Sequence, residues 1–160
     1  MIENKKVKTP IELYKILELL KKKGKKIVFC NGCFDLIHVG HIRYLKSAKS
    51  LGDILVLALN SDESVRKLKG KGRPVLSLEE RIEILSEFPF IDYITYFDEN
   101  NVSSLLKLLK PDIHAKGTDY TVENVPERDT VIAYGGKVAI AGDPKNHSTR
   151  DIIKKLKEES

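Results

Sequence analysis

The chain has 160 residues, of which 41% are hydrophobic and 32% charged, and carries a formal net charge of +5. That length and balance predict one globular domain with a single substantial core. No apolar run reaches the roughly eighteen residues of a membrane span, and the charged start Met1-Ile2-Glu3-Asn4-Lys5-Lys6 lacks a secretory apolar stretch, so a cytoplasmic protein is expected.

Thr9-Pro10-Ile11-Glu12 reads as a capping box with proline at the first helical position. Ile11, Tyr14, Leu17 and Leu20 then recur at helical spacing until Gly24. The lysines at 21, 22, 23, 25 and 26 read as solvated charges complementing the negative end of that helix. A strand over 26–30 precedes a loop, and a helix runs from about Gly40 to Leu51, where Gly52 stops it. The apolar run 53–59 has the pattern of a strand covered on both faces. Lys67 to Arg73, with two glycines, reads as a basic loop. Ser77-Leu78-Glu79-Glu80 opens a helix to about Phe88, followed by a strand over 92–97. Asn101 is the predicted cap of a helix ending before Pro111. A strand over 112–116, a helix over 127–134 and a strand over 137–141 follow, and Ser148 is the predicted cap of a last helix from Thr149. Five strands alternating with helices predict an α/β protein with a parallel sheet and right-handed crossovers. Ligands of such sheets bind beyond the carboxyl ends of the strands, where strand order reverses. That points to the loop after the first strand, Asn31 to His38.

This loop holds Cys30-Asn31-Gly32-Cys33-Phe34-Asp35-Leu36-Ile37-His38-Val39-Gly40-His41. Gly32 is expected to let the backbone approach a phosphate or to take a positive φ. His38 and His41, three residues apart at a helix start, share a face, with Gly40 leaving room between them. Two imidazoles and a helix N-terminus suit a phosphate whose charge grows in a transition state. Zinc is the rival reading, since the cysteine and histidine pairs spell Cys-x2-Cys and His-x2-His. Only four residues separate them, against about twelve in ordinary fingers. A redox Cys-x-x-Cys should open a helix rather than precede a loop, and a structural disulfide is unexpected in a cytosolic chain.

The stretch Asn31 to His41 resembles the signature of the cytidylyltransferase-like nucleotidyltransferases. Tyr44-Leu45 and Ala48 to Asp53 are similar to that family's next helix and turn. Asn60-Ser61-Asp62-Glu63-Ser64, Lys67-Leu68-Lys69-Gly70, Arg73-Pro74-Val75, Leu78-Glu79-Glu80-Arg81, Lys116-Gly117-Thr118-Asp119-Tyr120 and Ser148-Thr149 look like the branch that adenylylates D-glycero-β-D-manno-heptose 1-phosphate. Two departures stand out. That branch usually has Ser-Thr-Thr where this chain has Ser148-Thr149-Arg150. Relatives using glycerol 3-phosphate carry an arginine where this chain has Asp143-Pro144-Lys145-Asn146.

The resemblance implies a Rossmann-like, doubly wound five-stranded sheet and transfer of AMP from ATP to heptose 1-phosphate, with Mg²⁺ accompanying the ATP. It also implies a homodimer, and a separate sugar kinase where many relatives are fused to one. His38, His41 and Lys46 are the implied catalytic residues; Lys46, two helical turns from His38, would face the same side. Asn31, Gly32, Cys33, Phe34, Gly40, Arg81, Lys116, Gly117, Ser148, Thr149 and Arg150 join the two histidines as nucleotide-binding candidates. Asp35, Lys69, Lys71, Arg73 and Asp119 are candidates for the sugar phosphate or pyrophosphate. No protein metal cage is visible in the sequence. Other members of the superfamily, acting on glycerol phosphate, ethanolamine phosphate or FMN, are the enzymatic alternatives. A nucleic-acid-binding module is disfavoured, because the chain has no Trp and its lysine runs carry no interleaved aromatics.

Overall fold

A computed structural model of the chain describes residues 4–143 and 149–159. Strands β1 (Ile27–Gly32), β2 (Ile54–Asn60), β3 (Tyr93–Phe97), β4 (Ile113–Lys116) and β5 (Lys137–Ile140) form one sheet in the order β3-β2-β1-β4-β5. Every pairing is parallel. The sheet is covered on both faces, which is why its strands are apolar at successive positions rather than alternating with polar ones. Ile27 and Phe29 face one layer, where they meet Leu13 and Leu17 of α1 (Pro10–Lys22), Leu106 and Leu109 of α5 (Ser103–Leu109) and Val131 of α6 (Arg128–Ala133). Val28 and Cys30 face the other, with Leu45 and Ala48 of α2 (Val39–Lys49) and Leu85 of α4 (Leu78–Ser86).

Both predicted capping boxes form: Glu12 N–H donates to Thr9 Oγ1 and Glu80 N–H to Ser77 Oγ, with each glutamate side chain reaching back. The aspartates that opened three predicted strands lie just ahead of them instead. Each carboxylate accepts from a neighbouring segment at the amino edge of the sheet: Asp53 from Lys26 N–H, Asp92 from Leu55 N–H and Asp112 from Ile27 N–H, all at 2.8 Å.

One helix is absent from the sequence reading. Residues expected as part of a basic loop belong to α3 (Asp62–Lys69), which Ser61 caps by accepting from Ser64 N–H. Its start signals are ordinary, with Asp62 and Glu63 in the first turn, but only Ser64 and Val65 are buried. A helix with one apolar anchor has no hydrophobic period to read. Lys67 and Lys69 therefore sit on its last turn, and the loop begins at Gly70, where φ is +97°. Asn101 is also displaced by one position. The cap of α5 is Val102, and Asn101 Oδ1 accepts from Ser103 N–H at 3.0 Å. The final helix, α7 (Thr149–Glu159), is present; its predicted cap Ser148 lies outside the described residues.

Candidate active site

The chain builds β1, β2 and β3 outward on one side, then crosses to lay β4 and β5 on the other. Strand order thus reverses between β1 and β4, where open α/β sheets form their ligand crevice. A cavity of about 940 Å³ opens at this point. Asn31 and Gly32 from the end of β1, His38, Gly40 and His41 from the start of α2, and Lys116 and Gly117 from the end of β4 line it.

The two histidines cap their own helix. Gly40 N–H donates to His38 Nδ1 at 3.1 Å, and His38 N–H donates to His41 Nδ1 at 3.2 Å. A neutral imidazole whose Nδ1 accepts must carry its proton on Nε2. The rings stack at 3.9 Å between centroids, inclined by 28°. Capping and ligand binding are therefore not exclusive here: the Nδ1 atoms hold the helix start, and the Nε2 atoms are the ones that carry the protons. Gly40 N–H, one of the N–H groups of this helix start, is taken by His38.

Gly32 lines the cavity but does not take a positive φ, the second of its two expected uses. The positive φ falls instead on Phe34, at 47°, a conformation rare for an aromatic residue. A Cβ on Gly32 would lie 2.8 Å from Phe34 Cε2, so the glycine makes space for this ring. The ring in turn tilts against His41 at 4.9 Å and stacks on Tyr44 at 6.4 Å. Phe34 and Cys33 both line the cavity, and burial pushes the Cys33 thiol above its ordinary pKa despite nearby Lys69, Arg81 and Arg73.

Asp35 and Arg81 hold the surrounding loops in place. Asp35 was expected to meet a sugar hydroxyl. Its side chain is fully buried and accepts from Arg73 Nε, Val75 N–H and Leu76 N–H, each at 2.8 Å. Burial would raise its pKa, but the N–H groups of Leu76 and Val75 and the Arg73 guanidinium outweigh that and hold it below the usual range. Arg73 lines the cavity with Lys69, whereas Lys71, exposed on the turn between them, does not. Arg81, a nucleotide-binding candidate, is 0% exposed and does not border the cavity. Its guanidinium donates to the carbonyls of Cys33, Asn60 and Leu76 and to Asp62 Oδ1, at 2.7 to 3.1 Å. It binds the loops after β1 and β2 to the starts of α3 and α4.

Lys46 is a correction. Eight residues of helix turn about 80° past two full turns, and the side chain points away from the histidines. Its ammonium lies 5.7 Å from the Phe90 ring centroid and is not part of the cavity wall.

On the β4 side, Lys116 is buried, with Nζ 4.6 Å from the Tyr120 ring centroid. Burial lowers its pKa, and the Glu127 carboxylate partly offsets that. Glu127 is itself 6% exposed, lines the cavity and has no partner for Oε2. Such a carboxylate can accept from a ligand hydroxyl or amine. Asp119 also lines this wall. The first turn of α7 reaches the cavity through Asp151; the side chains of Thr149 and Arg150 lie outside the described residues. Glu127, Asn60, Arg43 and Asp151 were missed by sequence reading. Asn60, Glu127 and Asp151 sit at or near the ends of elements and Arg43 within α2, and only the closed sheet brings them together. Among the described residues, no group of three His, Cys, Asp or Glu is close enough to hold a metal ion. Cys30 faces the core and shares no such group with Cys33.

Behind Asn31 lies His114, on β4 and 0% exposed, with Nε2 2.8 Å from Asn31 Oδ1. Burial, with Lys116 nearby, lowers its pKa to about 3. An unfolded chain takes up this proton below about pH 6.5, while the folded chain does not, so stability is fully present above that pH and is lost on acidification. The wild-type protein is expected to lose more stability than His114→Gln between pH 6.5 and 4, by up to about 1.4 kcal/mol per pH unit. Parallel urea titrations would show it, and equal losses in the two proteins would contradict it.

The parallel sheet, its switch-point cavity and the paired imidazoles define a nucleotidyltransferase. The cytidylyltransferase-like family model matches residues 29–155, and the chain belongs to that family. It is 50% identical over 151 residues to the bifunctional protein HldE of Geobacter metallireducens and 47% identical to that of Syntrophotalea carbinolica. Each alignment covers 94% of this chain, which spans only 31% of the relative's length. A lipopolysaccharide core biosynthesis protein from Thermoplasma volcanium has a similar structure, with a TM-score of 0.66 and 27% identity over 76% of this chain and 100% of that one. Pantoate-β-alanine ligase from Francisella tularensis shares the fold at a TM-score of 0.54 and 15% identity, over 94% of this chain and 76% of that one. No helix among the described residues is long and apolar enough to cross a membrane.

Proposed function

We propose that the enzyme transfers AMP from ATP to D-glycero-β-D-manno-heptose 1-phosphate, giving ADP-heptose and pyrophosphate. The observation that carries the chemistry is the stacked pair His38 and His41 on the cavity wall, whose Nδ1 atoms accept at the helix start and whose protons therefore lie on Nε2. The similarity to the HldE proteins and to a lipopolysaccharide core biosynthesis protein supports the acceptor.

In this reading a phosphate oxygen of the sugar attacks the α-phosphorus in line. A new P–O bond forms as the bond to the bridging oxygen breaks, and pyrophosphate leaves with that electron pair. No covalent enzyme intermediate is required, so catalysis is positioning and charge stabilisation. His38 and His41 donate to the α-phosphate oxygens, where charge grows. Lys69 and Arg73 meet the pyrophosphate or the sugar phosphate across the cavity, and the start of α7 adds the positive end of a helix. Asn31, Gly32, Gly40, Lys116 and Gly117 form the nucleotide wall, and Asp119 and Glu127 accept from hydroxyls. Mg²⁺ accompanying the ATP would neutralise the triphosphate, with the phosphates supplying most of its ligands, which suits a cavity with Asp119 and Asp151 at its border and no metal cage among the described residues. A homodimer belongs to the same proposal and is checked by the mass in solution.

The test is pyrophosphate release from ATP and CTP, each paired with heptose 1-phosphate, glycerol 3-phosphate, phosphoethanolamine and FMN. ATP with heptose 1-phosphate is expected to exceed every other pair by about tenfold or more in kcat/KM. A different preferred pair overturns the assignment.

A further inference from the structure

We infer that His114, a side chain that never touches the ligand, is a positioning residue: it turns the Asn31 amide so that its NH₂ group faces the cavity and reads a phosphate oxygen of the bound nucleoside triphosphate. The inference builds on the nucleotidyltransferase reading and does not depend on the acceptor.

The geometry is a two-member relay through the sheet. Asn31 is the next-to-last residue of β1 and lines the cavity, one residue before Gly32. His114 is on β4, which is paired with β1. Its ring is fully buried, with Phe29 packed edge-on at 5.7 Å. Nε2 lies 2.8 Å from Asn31 Oδ1, while Nδ1 is buried with no partner. A neutral ring has one proton to place, and an Asn amide has one oxygen and one NH₂ to aim. With the proton on Nε2, His114 donates to Oδ1, and the Asn31 NH₂, which has no protein acceptor among the described residues, is presented to the cavity. The opposite tautomer would reverse the amide and direct its oxygen at the ligand.

The rest of the wall decides between them. His38, His41, Lys69, Arg73 and Lys116 make this a site for anions. A carbonyl oxygen aimed among phosphate oxygens would repel them, whereas an NH₂ adds a donor to the set. Burial beside Lys116 keeps His114 neutral, so the ring remains a directional donor and does not become a second cation. The arrangement also accounts for a histidine in an interior strand where its neighbours, Ile113 and Ala115, are apolar.

Two measurements test this. A long-range proton–nitrogen correlation spectrum of the wild-type protein reads the tautomer directly, and the proton is expected on Nε2. Binding of ATP, CTP and adenosine is then measured by calorimetry for the wild type, His114→Leu, His114→Gln and Asn31→Asp, with a melting curve for each. His114→Leu leaves Oδ1 without its donor and is expected to weaken binding of the preferred triphosphate about tenfold, while His114→Gln, which can donate in its place, stays within about threefold. Asn31→Asp puts a carboxylate against the phosphates and is expected to weaken it about a hundredfold or more. Adenosine, which has no phosphate, should bind all four proteins alike. A proton on Nδ1, triphosphate binding by folded His114→Leu equal to wild type, or equal losses for adenosine and the triphosphate would each overturn the inference. Turnover with heptose 1-phosphate plays no part in these readouts, so failure of the acceptor assignment is a separate result.

Discussion

Replacing His38 by asparagine is expected to lower turnover about a hundredfold or more while leaving the fold intact. Asparagine is among the best helix N-caps, so it can still accept from Gly40 N–H as His38 Nδ1 does at 3.1 Å. What it cannot do is extend an N–H group to where Nε2 stands. The variant therefore separates the two duties of one imidazole. His41→Ala is expected to lose turnover by a similar factor and to release His38 N–H from its acceptor. Steady-state pyrophosphate release, with melting temperatures beside it, checks both. Turnover within about threefold of wild type in either variant would remove that histidine from the reaction.

Arg81→Met is expected to destabilise the protein by about 3–5 kcal/mol. Methionine keeps much of the length and removes every donor. The carbonyls of Cys33, Asn60 and Leu76 then lose a charged partner at a buried site, and Asp62 loses its 2.8 Å contact. Cys33 is bordered by the cavity, and Leu76 is held by Asp35, so the loosened loops are those that carry Phe34 and Arg73. Arg81→Lys is expected to recover only part of the loss, because one ammonium cannot match a planar fork that reaches four oxygens. Equilibrium unfolding in urea gives the difference. A value below about 1 kcal/mol for Arg81→Met would show that these loops hold without the guanidinium.

Much of this was legible in the chain. Continuous apolar strands, two capping boxes and glycine stops give the alternation of strand and helix, and a parallel sheet places its ligands after the first strand. The histidine pair is readable because a strand, a glycine turn and a helix start fix its position. Other features leave weaker traces. Helix α3 buries one apolar side chain, so its lysines read as loop. Arg81 has the type and spacing of a surface helix charge; only the approach of four loop oxygens makes it internal. Asp35 looks like any aspartate able to meet a hydroxyl, and the N–H groups it accepts come from about forty residues further along the chain. Lys46 misleads through the 80° by which eight helical residues overshoot two turns. Glu127 gives no sign at all, since a carboxylate at a helix start is ordinarily a solvated charge.

The sheet order carries a consequence for how the protein comes to exist on the ribosome. β1 is the central strand, and one of its two neighbours, β4, is made long after it: Ile27 and its Asp112 partner are 85 residues apart. A nascent chain that has finished β3 has one open edge on its most buried strand, a template for unwanted pairing until β4 emerges. The binding crevice lies along that same seam. His38 and His41 are synthesised early, but the wall that faces them arrives with Lys116 and Glu127, and Asp151 closes it later still. Partial synthesis therefore yields no partial site, and competence to bind the nucleotide arises together with closure of the β1–β4 seam.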